Sequence, residues 1–223
     1  MSLERDWPLF GLWIQTPRLT LRYPTEADLG ALNALANQGI HDPSVMPFDT
    51  PWTDEPPEIR PRHSLQFYWG TRANWKPENW HLTMMVKEGD AVVGVQGMLA
   101  TDFAVKRQVG TGSWVGQGYQ GRGVGKEMRA AILHLAFAGL GAERATSAAF
   151  ENNASSLAVS RTLGYVENGD DIGAPRGKPM RQVRLLLTRE AWERGRRNDI
   201  QIHGLEPCLS MFGLNNSKRL TAT

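Results

Sequence analysis

The chain has 223 residues, 41% of them hydrophobic and 22% charged, which suits one domain with a sizeable core and is too apolar for wholesale disorder. A net charge of +2, from 25 basic and 23 acidic side chains, gives no electrostatic case for nucleic acid. The single cysteine, Cys208, excludes an internal disulfide framework and supplies no metal cluster; with no apolar run long enough to cross a bilayer and no signal-peptide pattern, a cytoplasmic protein without metal or membrane is expected.

In chain order, residues 18–23 read as a strand, and Thr25 caps a helix in which Ala27, Leu29, Leu32, Leu35 and Ala36 form an apolar stripe facing a core. Pro43, Pro47, Pro51, Pro56 and Pro57 then interrupt regular structure and predict an irregular loop over 39–61 that contains Phe48 and Trp52. Residues 62–75 follow as a helix whose Leu65, Phe67, Tyr68, Trp69 and Trp75 are expected to fill a core. Strands at 80–87 and 91–99 flank the turn Glu88-Gly89-Asp90, and a second turn near 105–107 leads to a strand at 108–117, so the three form an antiparallel meander.

The segment Gln120-Gly121-Arg122-Gly123-Val124-Gly125-Lys126 joins that strand to a helix with Met128, Ile132, Leu135 and Ala136 on its apolar face and His134 on its polar face. Gly118, Gly121, Gly123 and Gly125 leave the backbone free to bend and open to close approach. The unpaired N–H groups of the new helix suit a phosphate, and Arg122 and Lys126 add positive charge. A dinucleotide fingerprint belongs after the first strand of a βαβ unit, whereas this turn lies past the middle of the chain. A P-loop needs Ser or Thr after its Lys, and Glu127 stands there. On the turn alone, a glycine-rich connection that binds nothing stays open.

A strand at 143–150 is followed by Asn152-Asn153-Ala154-Ser155-Ser156, which starts a helix capped by Asn153 and closed by Leu163-Gly164-Tyr165. The polar stretch 167–179 is expected to be a long hairpin loop, 181–187 a strand and 188–197 a helix start. Residues 199–214 read as an extra strand and short helix, and 215–223 as a frayed tail. The order strand, Gln-x-x-Gly-x-Gly turn, helix, strand, Asn-x-x-Ser helix, Leu-Gly-Tyr resembles the acetyl-CoA core of the GNAT N-acetyltransferases, especially the branch that includes the ribosomal-protein N-terminal acetyltransferases. Pro17-Arg18-Leu19-Thr20-Leu21-Arg22-Tyr23 is similar to that branch's first strand. The resemblance covers residues 16–190, with its specific motifs in 109–165. It implies an α/β (α+β) fold with a mixed, mostly antiparallel central sheet of about seven strands flanked by helices, GNAT-like. One acetyltransferase domain is expected over 1–223, with its core at 16–190 and a C-terminal extension at 191–223.

Acetyl transfer to an amine needs a held thioester, a donor for the oxygen that becomes negative, and a sink for the amine proton. By the resemblance, the strand at 113–117 pairs with the pantetheine arm, which makes Ser113, Trp114, Val115 and Gln117 cofactor-binding. Backbone N–H groups at Trp114 and Val115 become the oxyanion donors. Gln120, Gly121, Arg122, Gly123, Val124, Gly125 and Lys126 hold the pyrophosphate of acetyl-CoA, the expected co-substrate. Asn153 contacts the pantetheine, and Ser156, one helical turn on, hydrogen-bonds the departing thiolate.

Many relatives carry a tyrosine acid where this chain has Ser160, and residues 146–150 lack a glutamate base, although Glu151 ends that strand. His81 is one base candidate and a water relay to solvent another; His41, His63, His81, His134 and His203 lack metal-ligand spacing. The missing groups leave open an acyl-CoA-binding sensor or partner-binding module without turnover. The acceptor side is assigned to residues 41–75 and 167–179, where an amine-bearing small molecule or peptide would bind, and a homodimer is allowed for. Asp42, Asp49, Asp54 and Glu55 in the first of these segments are either solvated or line the pocket for a cationic acceptor.

Overall fold

A computed structural model describes residues 3–214; the tail expected at 215–223 lies outside the described residues. The helices are α1 (Leu3–Asp6), α2 (Glu26–Asn37), α3 (Arg60–Ala73), α4 (Phe103–Lys106), α5 (Val124–His134), α6 (Ala154–Thr162) and α7 (Arg189–Arg194). The strands are β1 (Trp13–Gln15), β2 (Leu19–Arg22), β3 (Asn79–Glu88), β4 (Ala91–Thr101), β5 (Gln108–Val115), β6 (Arg144–Phe150), β7 (Val166–Gly173), β8 (Met180–Thr188) and β9 (Gln201–His203). They form one sheet in the order β7-β8-β6-β5-β4-β3-β2-β1-β9, antiparallel at each pairing except β5 with β6.

Period-two alternation gives the sheet two apolar faces. On one, Leu82, Met84 and Val86 of β3 and Met98 of β4 pack with Met128, Ile132, Leu135 and Ala136 of α5 and its π-helical continuation Leu135–Gly139. On the other, Met85 and Val95 meet Leu29 and Leu32 of α2 and Tyr68 of α3. Thr25 caps α2 in a reciprocal capping box with Asp28. Asp28 also pairs with Arg22 at 2.6 Å, so it takes the buried place expected of Ala27, which is exposed.

The sheet has nine strands where seven were expected. One addition, β1, precedes the stretch covered by the resemblance. The other, β7, occupies much of the expected loop at 167–179: it is an edge strand exposed along nearly its whole length, so no apolar alternation marks it, and backbone pairing to β8 holds it. Phe67 and Trp69 are also not core residues, at 51% and 47% exposure; of the α3 aromatics only Tyr68 is buried. His134 is buried as well, because Trp192 of α7 covers that side of α5 with its ring centroid 5.9 Å away.

The C-terminal segment joins this architecture. β9 pairs with β1, and the 3-10 helix Glu206–Phe212 buries Cys208, Leu209 and Phe212. The Phe212 ring lies 5.0 Å from Trp80 and 5.6 Å from Trp75. Among the described residues no helix is long and apolar enough to cross a membrane.

Candidate active site

The single parallel pairing opens a wedge in the sheet. β5 and β6 are in register only at Gln108–Arg144, Val109–Ala145 and Gly110–Thr146. Beyond that row β5 continues against β4 up to Val115, and β6 against β8 up to Phe150. The facing edges at 111–115 and 147–150 therefore part, and backbone groups that a continuous sheet would pair are turned toward the gap. Ser113, Trp114 and Val115 lie in this part of β5. The strand ends at Val115, however, and Gln117 opens the 3-10 turn Gln117–Tyr119.

The glycine-rich turn stands at the top of the wedge. Gly121 and Gly123 have φ of 72° and 81°, values that L side chains rarely adopt, and Gly123 is the N-cap of α5. A Cβ on Gly121 would meet nothing within 4 Å, so the space outside the turn is open. Gly125 has no such φ requirement, and a Cβ there would touch only Val115 at 3.9 Å. Lys126 is exposed and forms no ion pair among the described residues, whereas Arg122 pairs with Glu88 at 3.3 Å. The side-chain amide of Gln120 donates to Ile40 O at 2.5 Å and Val115 O at 2.9 Å, and Gln117 N donates to Gly39 O at 2.9 Å. Both glutamines thus tie the turn to the segment after α2.

Glu127, which sequence reading used only to exclude a P-loop, braces the turn from beneath. Only 6% exposed, it accepts from Thr16 Oγ1 at 2.6 Å, Arg18 N at 3.2 Å and Arg18 Nε at 2.8 Å. Burial pushes its carboxyl up, but the hydrogen bonds from Thr16 and Arg18 outweigh burial and leave it below the ordinary carboxylate value. Arg18 Nη1 also donates to Arg122 O at 3.2 Å, linking β2 to the turn itself.

On α6, Asn153 Oδ1 accepts from Ser156 N at 3.1 Å and from Ser155 Oγ at 3.1 Å. Capping accounts for that oxygen and leaves the amide nitrogen free of any hydrogen bond among the described residues. Ser156 is half-buried with its hydroxyl uncommitted, while Ser160 is fully buried and donates to Ser156 O at 3.0 Å. The Ser160 hydroxyl therefore serves the helix rather than the wedge.

The mouth of the wedge is aromatic. Trp114 packs 6.1 Å from Trp52, Trp52 5.5 Å from Phe48, and Phe48 5.7 Å from His41. Asp42, Asp49 and Asp54 of this loop are exposed to solvent and Glu55 is half-buried, and each has a partner within the protein. Arg176, from the β7–β8 connection, donates to both Asp54 oxygens at 2.6 Å and to Pro43 O at 2.8 Å, and Gln182 donates to Asp49 at 2.9 Å. The side-chain hydrogen bond to Arg176 holds the Asp54 carboxyl below its usual value. Asp42 is turned onto Ser44, and Glu55 onto His63. His81, the base candidate, pairs with Leu99 in the row of Gly110, whereas Trp114 is in the row of Met85. Four residues at about 3.3 Å each put it some 13 Å down the sheet from Trp114. Its ring lies against Phe67, and burial pushes its pKa down. Among the described residues no group of three His, Cys, Asp or Glu side chains could hold a metal ion.

The fold is similar to those of solved acetyltransferases. RimJ from Mycobacterium smegmatis in complex with CoA-disulfide matches with a TM-score of 0.66 and 18% identity, covering 82% of this chain and 93% of that one. RimL, a ribosomal L7/L12 alpha-N-protein acetyltransferase in complex with coenzyme A, matches at 0.61 and 17%, covering 79% and 97%. A spermidine N-acetyltransferase SpeG chimera from Vibrio cholerae and hSSAT matches at 0.60 and 14%, covering 79% and 99%. Residues 18–166 match the family model of the acetyltransferase (GNAT) domain, and the chain belongs to that family.

Proposed function

We propose that the protein is an acetyl-CoA-dependent N-acetyltransferase that acylates a primary amine of a small molecule or a protein N-terminus by direct attack. The wedge carries this reading, because its free strand edge ends beside the helix start that suits a pyrophosphate. The residues present fit coenzyme A: open space outside Gly121, an exposed Lys126 with no ion pair among the described residues, and strand edge at 111–115 for a pantetheine amide. Bound there, acetyl-CoA would supply the activated thioester.

The chain's own groups supply the rest. The backbone N–H of Val115 is the oxyanion donor, since that of Trp114 is turned toward β4 like that of Gly116, which donates to Val93 O; Ser156 donates to the departing thiolate, and the amine proton leaves to solvent. We read the whole chain as one domain, supported by the shared core of Trp75, Trp80 and Phe212. The acceptor enters between the aromatic loop and the β7–β8 connection.

Calorimetry with coenzyme A, followed by thiol release across peptide N-termini, amino acids and polyamines, tests the reading. Binding at micromolar affinity with thiol release for at least one amine is expected. Binding without thiol release for any amine would favour a sensor, and absence of binding to folded protein would defeat the assignment.

A further inference from the structure

The throat of the wedge holds a charge that nothing nearby balances. Arg129, on α5, is only 4% exposed. Its Nη1 donates to Ser147 Oγ on β6 at 3.2 Å and its Nη2 to Ser113 Oγ on β5 at 3.1 Å, so it spans the two strands where they part. Its Nε is buried with no hydrogen-bond partner among the described residues. The nearest acid along the helix, Glu127, is spent on Thr16 and Arg18, and Arg129 has no ion pair among the described residues.

A buried guanidinium with only neutral acceptors is costly, and the cost is relieved when an anion reaches it. The surroundings are built for one. Ser113 accepts from Arg129 but donates to no acceptor among the described residues, which leaves an O–H available beside the free Nε–H. Tyr165 OH and Thr111 Oγ1, 3.3 Å apart, close the cluster on the same side. Planar N–H donors flanked by hydroxyls match a carboxylate. Ser113 is two residues from Val115 and shares its side of the strand, about 7 Å away, so a carboxylate here would belong to the acyl group of the donor and sit only a few bonds from its thioester carbon.

We propose that Arg129, with Ser113, receives the terminal carboxylate of a short dicarboxylic acyl group, and that the chain prefers a succinyl-length acyl-CoA to acetyl-CoA. This rests on the reading that coenzyme A lies along β5, and it refines the donor, not the reaction. The amine nitrogen forms a bond to the thioester carbon as the carbon–sulfur bond breaks; the sulfur leaves with the bonding electrons and is protonated, while the amine loses one proton, giving an amide and free coenzyme A. A site that hydrogen-bonds a polar end group discriminates against the analogue lacking it, because its donors are then left unpaired.

The test is calorimetry of the full chain with coenzyme A, acetyl-CoA and succinyl-CoA, alongside thiol release with both donors. Succinyl-CoA should bind about tenfold or more tightly than acetyl-CoA. Arg129→Met should bring the ratio of the two affinities toward one, and Arg129→Lys should restore part of it. If acetyl-CoA binds as tightly as succinyl-CoA to the unmodified protein, the proposal fails whether or not the variants fold. It also fails if Arg129→Met keeps the ratio while loosening both donors equally, as a mere tie between strands would. Failure of coenzyme A itself to bind would instead overturn the parent reading and this one with it.

Discussion

At the scale of single residues, Gly123 bears the most specific demand in the site. Its φ of 81° and its place as N-cap of α5 leave little tolerance for a β-branched side chain, and a Cβ there would approach Arg18 Nη2 to 3.5 Å. Gly123→Val should weaken coenzyme A binding about tenfold or more while costing the fold about 1–3 kcal/mol, read by calorimetry and urea unfolding. Unchanged affinity in a folded variant would remove the turn from the phosphate site. The glycine spacing made this position legible in the sequence. Arg129 was not legible: it falls on the apolar side of an amphipathic helix, and only the pairing of β5 with β6 shows that Ser113 and Ser147 converge on it.

At the scale of elements, α5 is anchored through Glu127. The carboxyl lies below its ordinary value of 4.5 in the folded protein, so its contribution to stability is present above that value and is lost as pH falls through the lower, folded value. Glu127→Gln should cost about 1–3 kcal/mol near neutral pH, because Thr16 and Arg18 lose a charged acceptor. In urea melts the gap between variant and parent should narrow as the pH falls below 4.5. A gap that stays constant across that range would mean the carboxylate charge is not what anchors the helix. Elements with strong local signals, such as the capped α2 and the meander of β3, β4 and β5, were readable from sequence because caps, turns and alternation are local. β7 was unreadable because its stability comes from a partner strand and not from its own pattern. The loop carboxylates were ambiguous for a related reason: Asp54 and Arg176 are far apart in the chain, and only the fold brings them together.

At the scale of the whole molecule, the C-terminal segment is structural. Phe212 is fully buried among Trp75 and Trp80, so Phe212→Ala should destabilise the protein by about 3–5 kcal/mol. Tryptophan fluorescence and far-UV circular dichroism should still report one coincident transition. Two separated transitions would mean that the extension folds as a unit of its own. The pairing of Ile14 with Ile202 has a further consequence for how the protein is made. β1 leaves the ribosome well before β9, so the edge of β1 that β9 covers stays bare until synthesis has passed β9. For that interval the nascent chain presents an open strand edge to its surroundings, and it is then that chaperone capture or misassembly with a neighbouring copy competes with correct closure.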